Sequence, residues 1–465
     1  MAMPRKQAII VTDLGPGDGG KGGVVHRVAT IMKAHTVIKK GGAQGSHGVS
    51  TSRGERFNFN QWGCGTLEGI RTHIGSGIVA CPIRLLLEAQ DLTEQHGVMN
   101  PFDLLTVERD TLCTTPFHGI SSHLKELARK DNPRGTIGTG VGEAYRYNQR
   151  YPELSLFMGD LPRGDLRNRL AAVRAKIQAD LASIIEGDFL PEDRETAEQD
   201  IRDLSSDDFL DFVVDQFRKC GEVVHLVDPD YFETVILGRN GVVVIETSHG
   251  ILTDRYQGFE PHTSAIRTLP RFTKAMLRDA GYDGEIKNLA VHRGYEIRHG
   301  AGPMPTADPS MSEDLLPGSH KDENRWQGRV RVGPLDLVLM RYAIEASGGP
   351  SEYDGLAITW FDQISGNGEW HVCDSYTHET EDGDLFTMTG DLVVRHGEDE
   401  AQLAHTRALC QALFRCVPEI TTYPIAKDAT PDQLFDLVAG VLNAKLGVPV
   451  RMLSLGPTEL DKLLR

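Results

Sequence analysis

No apolar run in the sequence approaches the ~18 residues that a bilayer-spanning helix needs, so a membrane partner is not expected. An excess of positive charge is also missing. Lys and Arg number 49 against 66 Asp and Glu, a net charge of −17. Such a chain repels phosphate polymers, which argues against nucleic acid as a partner, although a small anion can still be held locally by backbone N–H groups. Paired cysteines are absent too. Cys64, Cys81, Cys113, Cys220, Cys373, Cys410 and Cys416 are odd in number and scattered, with no CxxC. That pattern excludes a disulfide framework and a zinc knuckle and predicts reduced, mostly buried thiols. There is no internal repeat and no low-complexity linker. The opening Met1-Ala-Met-Pro-Arg-Lys-Gln7 has no signal-peptide core, so the expectation is a soluble, cytoplasmic chain.

Short β-branched runs are what the sequence does have: Ala8–Thr12, Thr36–Ile38, Val242–Ile245, Leu289–Val291, Leu356–Thr359 and Arg451–Ser454. They are continuous rather than alternating, which suits parallel strands covered on both faces. Helical patterns lie between them. Leu166, Leu170, Val173, Ile177, Leu181 and Ile184 share one helix face, and the Asp/Glu-rich stretch 192–208 reads as a solvated face. Strand and helix in alternation predict an α/β fold with an open sheet whose ligands gather at the carboxyl ends of the strands.

Chemistry-bearing loops follow those runs. Gly15-Pro-Gly-Asp-Gly-Gly-Lys-Gly22 fits the phosphate-loop spacing through Gly15, Gly20 and Lys21, but Gly22 stands where Ser or Thr usually binds magnesium. The glycines let backbone N–H groups curl around a phosphate, and Lys21 adds a point charge. Asp18 is out of place in such a cradle, because phosphate repels it. It therefore reads as a metal ligand or a base rather than as a turn-forming Asp. After the second run, Lys39-Lys-Gly-Gly-Ala-Gln-Gly-Ser-His47 offers His47 as a proton donor near neutral pH. Gly135-Thr-Ile-Gly-Thr-Gly-Val-Gly142 is a further glycine-rich loop, weak on its own.

Together with Gly300-Ala-Gly-Pro-Met-Pro-Thr306, Gly328-Arg-Val-Arg331, Thr359-Trp-Phe-Asp362 and Ser454-Leu-Gly-Pro457, these motifs stand in an order that resembles the adenylosuccinate synthetases, from residue 8 to 465. The resemblance implies a large, mostly parallel central sheet with flanking helices in a P-loop-like adenylosuccinate synthetase fold. It implies one domain over 1–465, with a helical, acidic segment at about 160–220, and a homodimer. The family makes adenylosuccinate from IMP, L-aspartate and GTP with Mg²⁺. By resemblance, Asp18 is the base that deprotonates purine N1, His47 assists the transferring phosphoryl group and Lys21 completes the catalytic set. Mg²⁺ is held by Asp18 and the backbone carbonyl of Ser46. Gly17, Gly19, Gly20, Gly22, Ser46 and Gly48 surround the phosphates, and Asp362, Gly456 and Pro457 surround the guanine base. The acceptor nucleotide and the amino acid fall to Gln44, Ile137, Thr139, His249, Ser264, Arg329 and Arg331, with Arg331 gripping the aspartate α-carboxylate.

Departures from the family cluster at the specificity positions. Gly19 replaces a glutamate, Gln44 an asparagine, Ile137 a phosphate-binding threonine, Thr139 an arginine, His249 a glutamine and Ser264 a threonine. Tyr151 replaces an arginine shared between subunits, Trp326 and Gln327 replace paired threonines, and Trp360 replaces the guanine-motif lysine. Ile137 cannot donate a hydrogen bond, a loss that typically costs a kcal/mol or more. The expected activity is therefore ligation on IMP or a modified purine. A specialised paralogue that uses another nucleotide, amine or phosphoryl donor (ATP or dATP), and a non-catalytic nucleotide-binding sensor, are the alternatives.

Overall fold

Valine, isoleucine and alanine crowd Gln7–Asp13 because that strand is flanked on both edges and covered on both faces. Every residue after Gln7 is buried. In this computed structural model, which describes residues 5–319, 326–378 and 383–465, the chain divides into two compact units: Met1–Ala34, His47–Asn58 and Gly241–Arg465 in the first, His35–Ser46 and Phe59–Asn240 in the second.

In the first unit the strands run in the order Lys462–Leu464, Val450–Ser454, Gly355–Thr359, Glu285–Arg293, Gln7–Asp13 and Val242–Thr247. All pair in parallel except Lys462–Leu464, which is antiparallel. Gln7 stands opposite both Glu285 and Val242, so the carboxyl ends of these strands come out at one edge. We name the first strand β1 (Gln7–Asp13) and the helix after its loop α1 (Lys21–Ile31). An antiparallel ribbon, Glu296–His299 with Val330–Gly333, extends from the Glu285–Arg293 strand and sets Arg298 directly across from Arg331. The core centres on helix Leu337–Ser347, whose start is capped by Asp336 accepting from the Leu339 N–H at 3.1 Å. Trp370 packs edge-on against Phe361 at 5.3 Å and donates to the Gly294 carbonyl at 2.7 Å.

The second unit has parallel strands Thr36–Gly42, Arg71–Ala80, Leu105–Glu108 and His225–Val227, with Leu112–Cys113 on the far end of Arg71–Ala80. Its helix Leu166–Ile185 buries Leu166, Leu170, Val173, Ile177 and Leu181, and leaves Ile184 half-covered. The acidic stretch forms most of helix Arg194–Ser205 and the start of helix Asp207–Val223. There Ser206 caps the Phe209 N–H at 3.1 Å, and Asp207 and Asp208 sit in the first turn, where the helix dipole favours negative charge. All seven cysteines are free, and all but Cys81 are buried. Among the described residues no helix is long and apolar enough to cross a membrane.

Candidate active site

β1 ends on Asp13, and that carboxylate organises the loop after it. Asp13 is 1 % exposed. It accepts from the N–H of Gly15 at 2.9 Å, from the N–H of Gly19 at 2.9 Å and from Lys21 Nζ at 2.6 Å. Two of the backbone donors that the glycine pattern reserves for a phosphate thus face an internal carboxylate, and Lys21 pairs with it in a buried salt bridge. Gly19 is glycine because a Cβ there would lie 2.8 Å from Asp13 Oδ2. Gly20, at φ +86°, opens α1, and its Cβ would meet Thr359 Oγ1 at 2.6 Å. Sequence reading missed Asp13 because it reads as the last residue of a strand; the available clue is a carboxylate ending an apolar run just before the glycines.

Asp18 sits at φ +59°, a left-handed conformation that Asp tolerates better than most residues. Contacts from neighbouring strand ends hold it there. Arg293 Nε donates to the Asp18 carbonyl at 2.7 Å, and Thr359 Oγ1 donates to the Gly19 carbonyl at 2.7 Å. The side chain is partly exposed, with Oδ2 3.2 Å from His299 Nε2. Arg293 itself is buried under Trp360, whose ring centre lies 4.4 Å from the guanidinium. At the position where the resemblance predicts a lysine, this chain has an indole stacked on an arginine. Neither Arg293 nor His299 stands out in the sequence.

His47 begins the strand His47–Ser50 and packs on the first turn of α1: a Cβ at Gly22 would fall 3.0 Å from the His47 Cβ and 2.5 Å from the Gly48 carbonyl. His47 Nδ1 lies 2.5 Å from Glu246 Oε1, both groups buried. Because a carboxylate only accepts, Nδ1 carries the proton that is donated to Glu246. His249, at φ +64°, follows the same strand as Glu246. Burial first, then the positive Lys21 and His47, pull its pKa down to about 4 against the opposing carboxylates of Asp18 and Asp13. His249 is therefore neutral near pH 7. Replacing Glu246 with Gln should free the His47 ring to adopt either tautomer and lower turnover by about 10²-fold with little change in nucleotide KM. Steady-state kinetics at saturating nucleotide checks this, and an unchanged kcat would remove the pair from the chemistry.

Asp362 opens the short helix Asp362–Ser365, where burial and the neighbouring Asp461 raise its pKa. The Gly456 carbonyl accepts from Ser454 Oγ at 3.0 Å and the Pro457 carbonyl from Lys462 Nζ at 3.4 Å. Burial pulls Lys462 down to about 8, with Asp461, Glu459 and Asp362 opposing, so Asp362 and the Gly456–Pro457 turn gather around Asp461 and Lys462. Arg331 Nη2 donates to the carbonyls of Gly300 and Gly302 at 2.6 Å each, and Arg329 is exposed. Ser264 Oγ accepts from the Ile266 N–H at 3.1 Å, a turn contact. Gly17, at φ +127°, has open space where a Cβ would be.

The remaining positions belong to the second unit. Gln44 folds over Gly42, leaving no room for a Cβ there. Ser46 ends the segment that leads to His47. Ile137 is exposed in the loop before helix Val141–Arg150, and the Thr139 carbonyl accepts from Thr114 Oγ1 at 3.2 Å. Tyr151 ends that helix with Lys176 Nζ 4.3 Å and the Arg150 guanidinium 5.2 Å from its ring centre, a stacked role quite unlike an arginine's reach.

Residues 10–462 match the family model described as adenylosuccinate synthetase. Among curated proteins, the adenylosuccinate synthetase of Haloarcula marismortui is 26% identical over 97% of both chains, and that of Bdellovibrio bacteriovorus 23% identical over 97% of this chain and 96% of its own. Among solved structures, the fully ligated adenylosuccinate synthetase of Plasmodium falciparum superposes with a TM-score of 0.75 at 18% identity, covering 98% of this chain and 99% of that one. The succinoaminodeoxyadenylate synthetase of cyanophage S-2L, bound to dGMP and to dATP as an energy donor, gives 0.56 at 15% identity, covering 99% and 95%.

Proposed function

Because the chain belongs to the adenylosuccinate synthetase family, a group of carbon–nitrogen ligases, we propose that it phosphorylates the 6-oxo group of a purine nucleotide with a nucleoside triphosphate and then installs L-aspartate at that carbon. The observation that carries this reading is the buried His47–Glu246 pair packed on the first turn of α1, beside the loop in which Lys21 is tied to Asp13 and Asp18 is turned toward His299. Asp18 takes the proton from purine N1. The electron pair moves to O6, which bonds to the γ-phosphorus as the bond to the bridging oxygen breaks. His47 acts as the imidazolium: Nδ1–H is held by Glu246 while Nε2–H donates to the phosphoryl oxygen in transit. The aspartate amine then adds at C6, the C6–O6 bond breaks and inorganic phosphate leaves. A carboxylate on a partly exposed turn is the hard oxygen donor that Mg²⁺ prefers, so Asp18 fits that ion. When bound, the ion would offset the charge of the phosphates.

The acceptor is a specialised nucleotide rather than IMP alone. Ile137 for a hydroxyl, Tyr151 for an arginine and Trp360 for a lysine all alter nucleotide-selecting positions, and the cyanophage enzyme, with dATP as its energy donor, supports testing dATP and ATP beside GTP. A sensor without turnover has no need of a histidine fixed by a buried glutamate, which favours the enzyme. A homodimer is part of the same proposal. The test crosses IMP, GMP, dGMP and deazapurine nucleotides with GTP, ATP and dATP, with Mg²⁺ and L-aspartate present, and measures phosphate release. At least one pair should give release that depends on aspartate; a blank across the whole grid defeats the ligase reading.

A further inference from the structure

We propose that Arg298 is a second ligand-binding guanidinium which, together with Arg331, receives a carboxylate of the amino-acid substrate. The inference rests on the reading that an aspartate-like amine donor is used. Arg298 is 4 % exposed and makes no hydrogen bond or ion pair among the described residues; its Nε is fully enclosed without an acceptor. Other buried or half-buried arginines of the same unit do have acceptors: Arg293 donates to the Asp18 carbonyl, Arg341 to Asp391 at 2.6 Å and Arg331 to the Gly300 and Gly302 carbonyls, while Arg27, whose Nε also lacks an acceptor, is less deeply covered than Arg298. A buried guanidinium without an acceptor is strongly unfavourable, and such a charge persists in a fold when something that binds there offsets it.

Position indicates what binds. Arg298 and Arg331 stand opposite each other in the antiparallel ribbon, so their side chains leave the same face. Burial first and then the neighbouring Arg331 pull Arg298 down to about 10 against the opposing Cys410 and Glu296, and burial lowers Arg331 as well. Glu296 is the carboxylate that acts on Arg298 from the same strand, but its Oε2 already lies 3.4 Å from His292 Nε2. Gly302 packs so tightly on the guanidinium that a Cβ would collide with Nη2, which shapes a narrow slot. Such a slot fits a planar carboxylate in a guanidinium fork better than a tetrahedral phosphate.

The experiment uses the full chain with Arg298→Met, Arg298→Lys and Gly302→Ala. Two readouts are taken: KM for L-aspartate against KM for the nucleotide, and the shift in melting temperature on adding succinate as a dicarboxylate probe. Arg298→Met should raise the aspartate KM by about 10- to 100-fold with the nucleotide KM unchanged, and should abolish the succinate shift. Lysine, which keeps the charge without the fork, should recover only part of both. Gly302→Ala, which keeps Arg298 in the chain but pushes its guanidinium out of the slot, should raise the aspartate KM in the same direction, so the test survives if Arg298→Met fails to fold. An aspartate KM within twofold of the parent in all three variants overturns the proposal, as does a succinate shift equal in parent and Arg298→Met, or none in the parent. If the parent shows an Arg298-dependent succinate shift but no aspartate-dependent turnover, the carboxylate site stands and the ligase reading falls. If turnover with aspartate is normal and indifferent to Arg298, this inference alone falls.

Discussion

Asp18→Asn is expected to reduce aspartate-dependent phosphate release by about 10³-fold, within the range that a positioned general base supplies, while nucleotide binding survives. Asparagine matches the shape of aspartate and is equally at ease at φ +59°, so the turn should hold. The backbone contacts from Arg293 and Thr359 go to carbonyls and do not depend on the side chain. What disappears is the proton acceptor and the negative charge beside His299. Turnover assays paired with nucleotide titration by calorimetry decide the matter. Activity retained within tenfold of the parent would mean that some other group takes the proton.

Asp13→Ala should be the most destabilising single change in the loop, by about 3–5 kcal/mol, because it strands the Lys21 charge in a buried site. It also leaves the Gly15 and Gly19 N–H groups without their acceptor. Urea unfolding of parent and variant measures the difference. A double variant, Asp13→Ala with Lys21→Met, removes both charges and should recover a large part of the lost stability while remaining inactive. If the single variant unfolds at the parent's midpoint, the pair is not what holds the loop.

The double variant also separates two roles that the glycine pattern blurs. A glycine-rich turn after a strand, followed by lysine, is readable at once as an anion cradle, since spacing along the chain is all that it requires. That Asp13 fills two of those amides is not readable, because the bond between residues 13 and 19 depends on how tightly the turn closes. His47 was equally visible as a titratable side chain in a loop, whereas its partner Glu246 lies 199 positions away. Only strand pairing brings Val242–Thr247 alongside β1, and with it Glu246 into the neighbourhood of α1. The arginines divide in the same way. Arg329 and Arg331 announce themselves in a short motif, but Arg298 becomes notable only once antiparallel pairing places it opposite Arg331 and packing closes over it without an acceptor.

The sequence by itself determined the local properties: which runs become buried parallel strands, which turns demand glycine, where a carboxylate and an imidazole are offered at strand ends, and through ordered motifs the family. These follow from side-chain volume, backbone freedom and spacing, all of which act over a few residues. Tertiary structure alone decided which charges neutralise one another, as in Asp13 with Lys21 and His47 with Glu246, and that Arg298 is buried with its Nε lacking an acceptor. Electrostatic pairing and desolvation act through space at a few ångströms, and that distance is set by sheet register and core packing rather than by position along the chain.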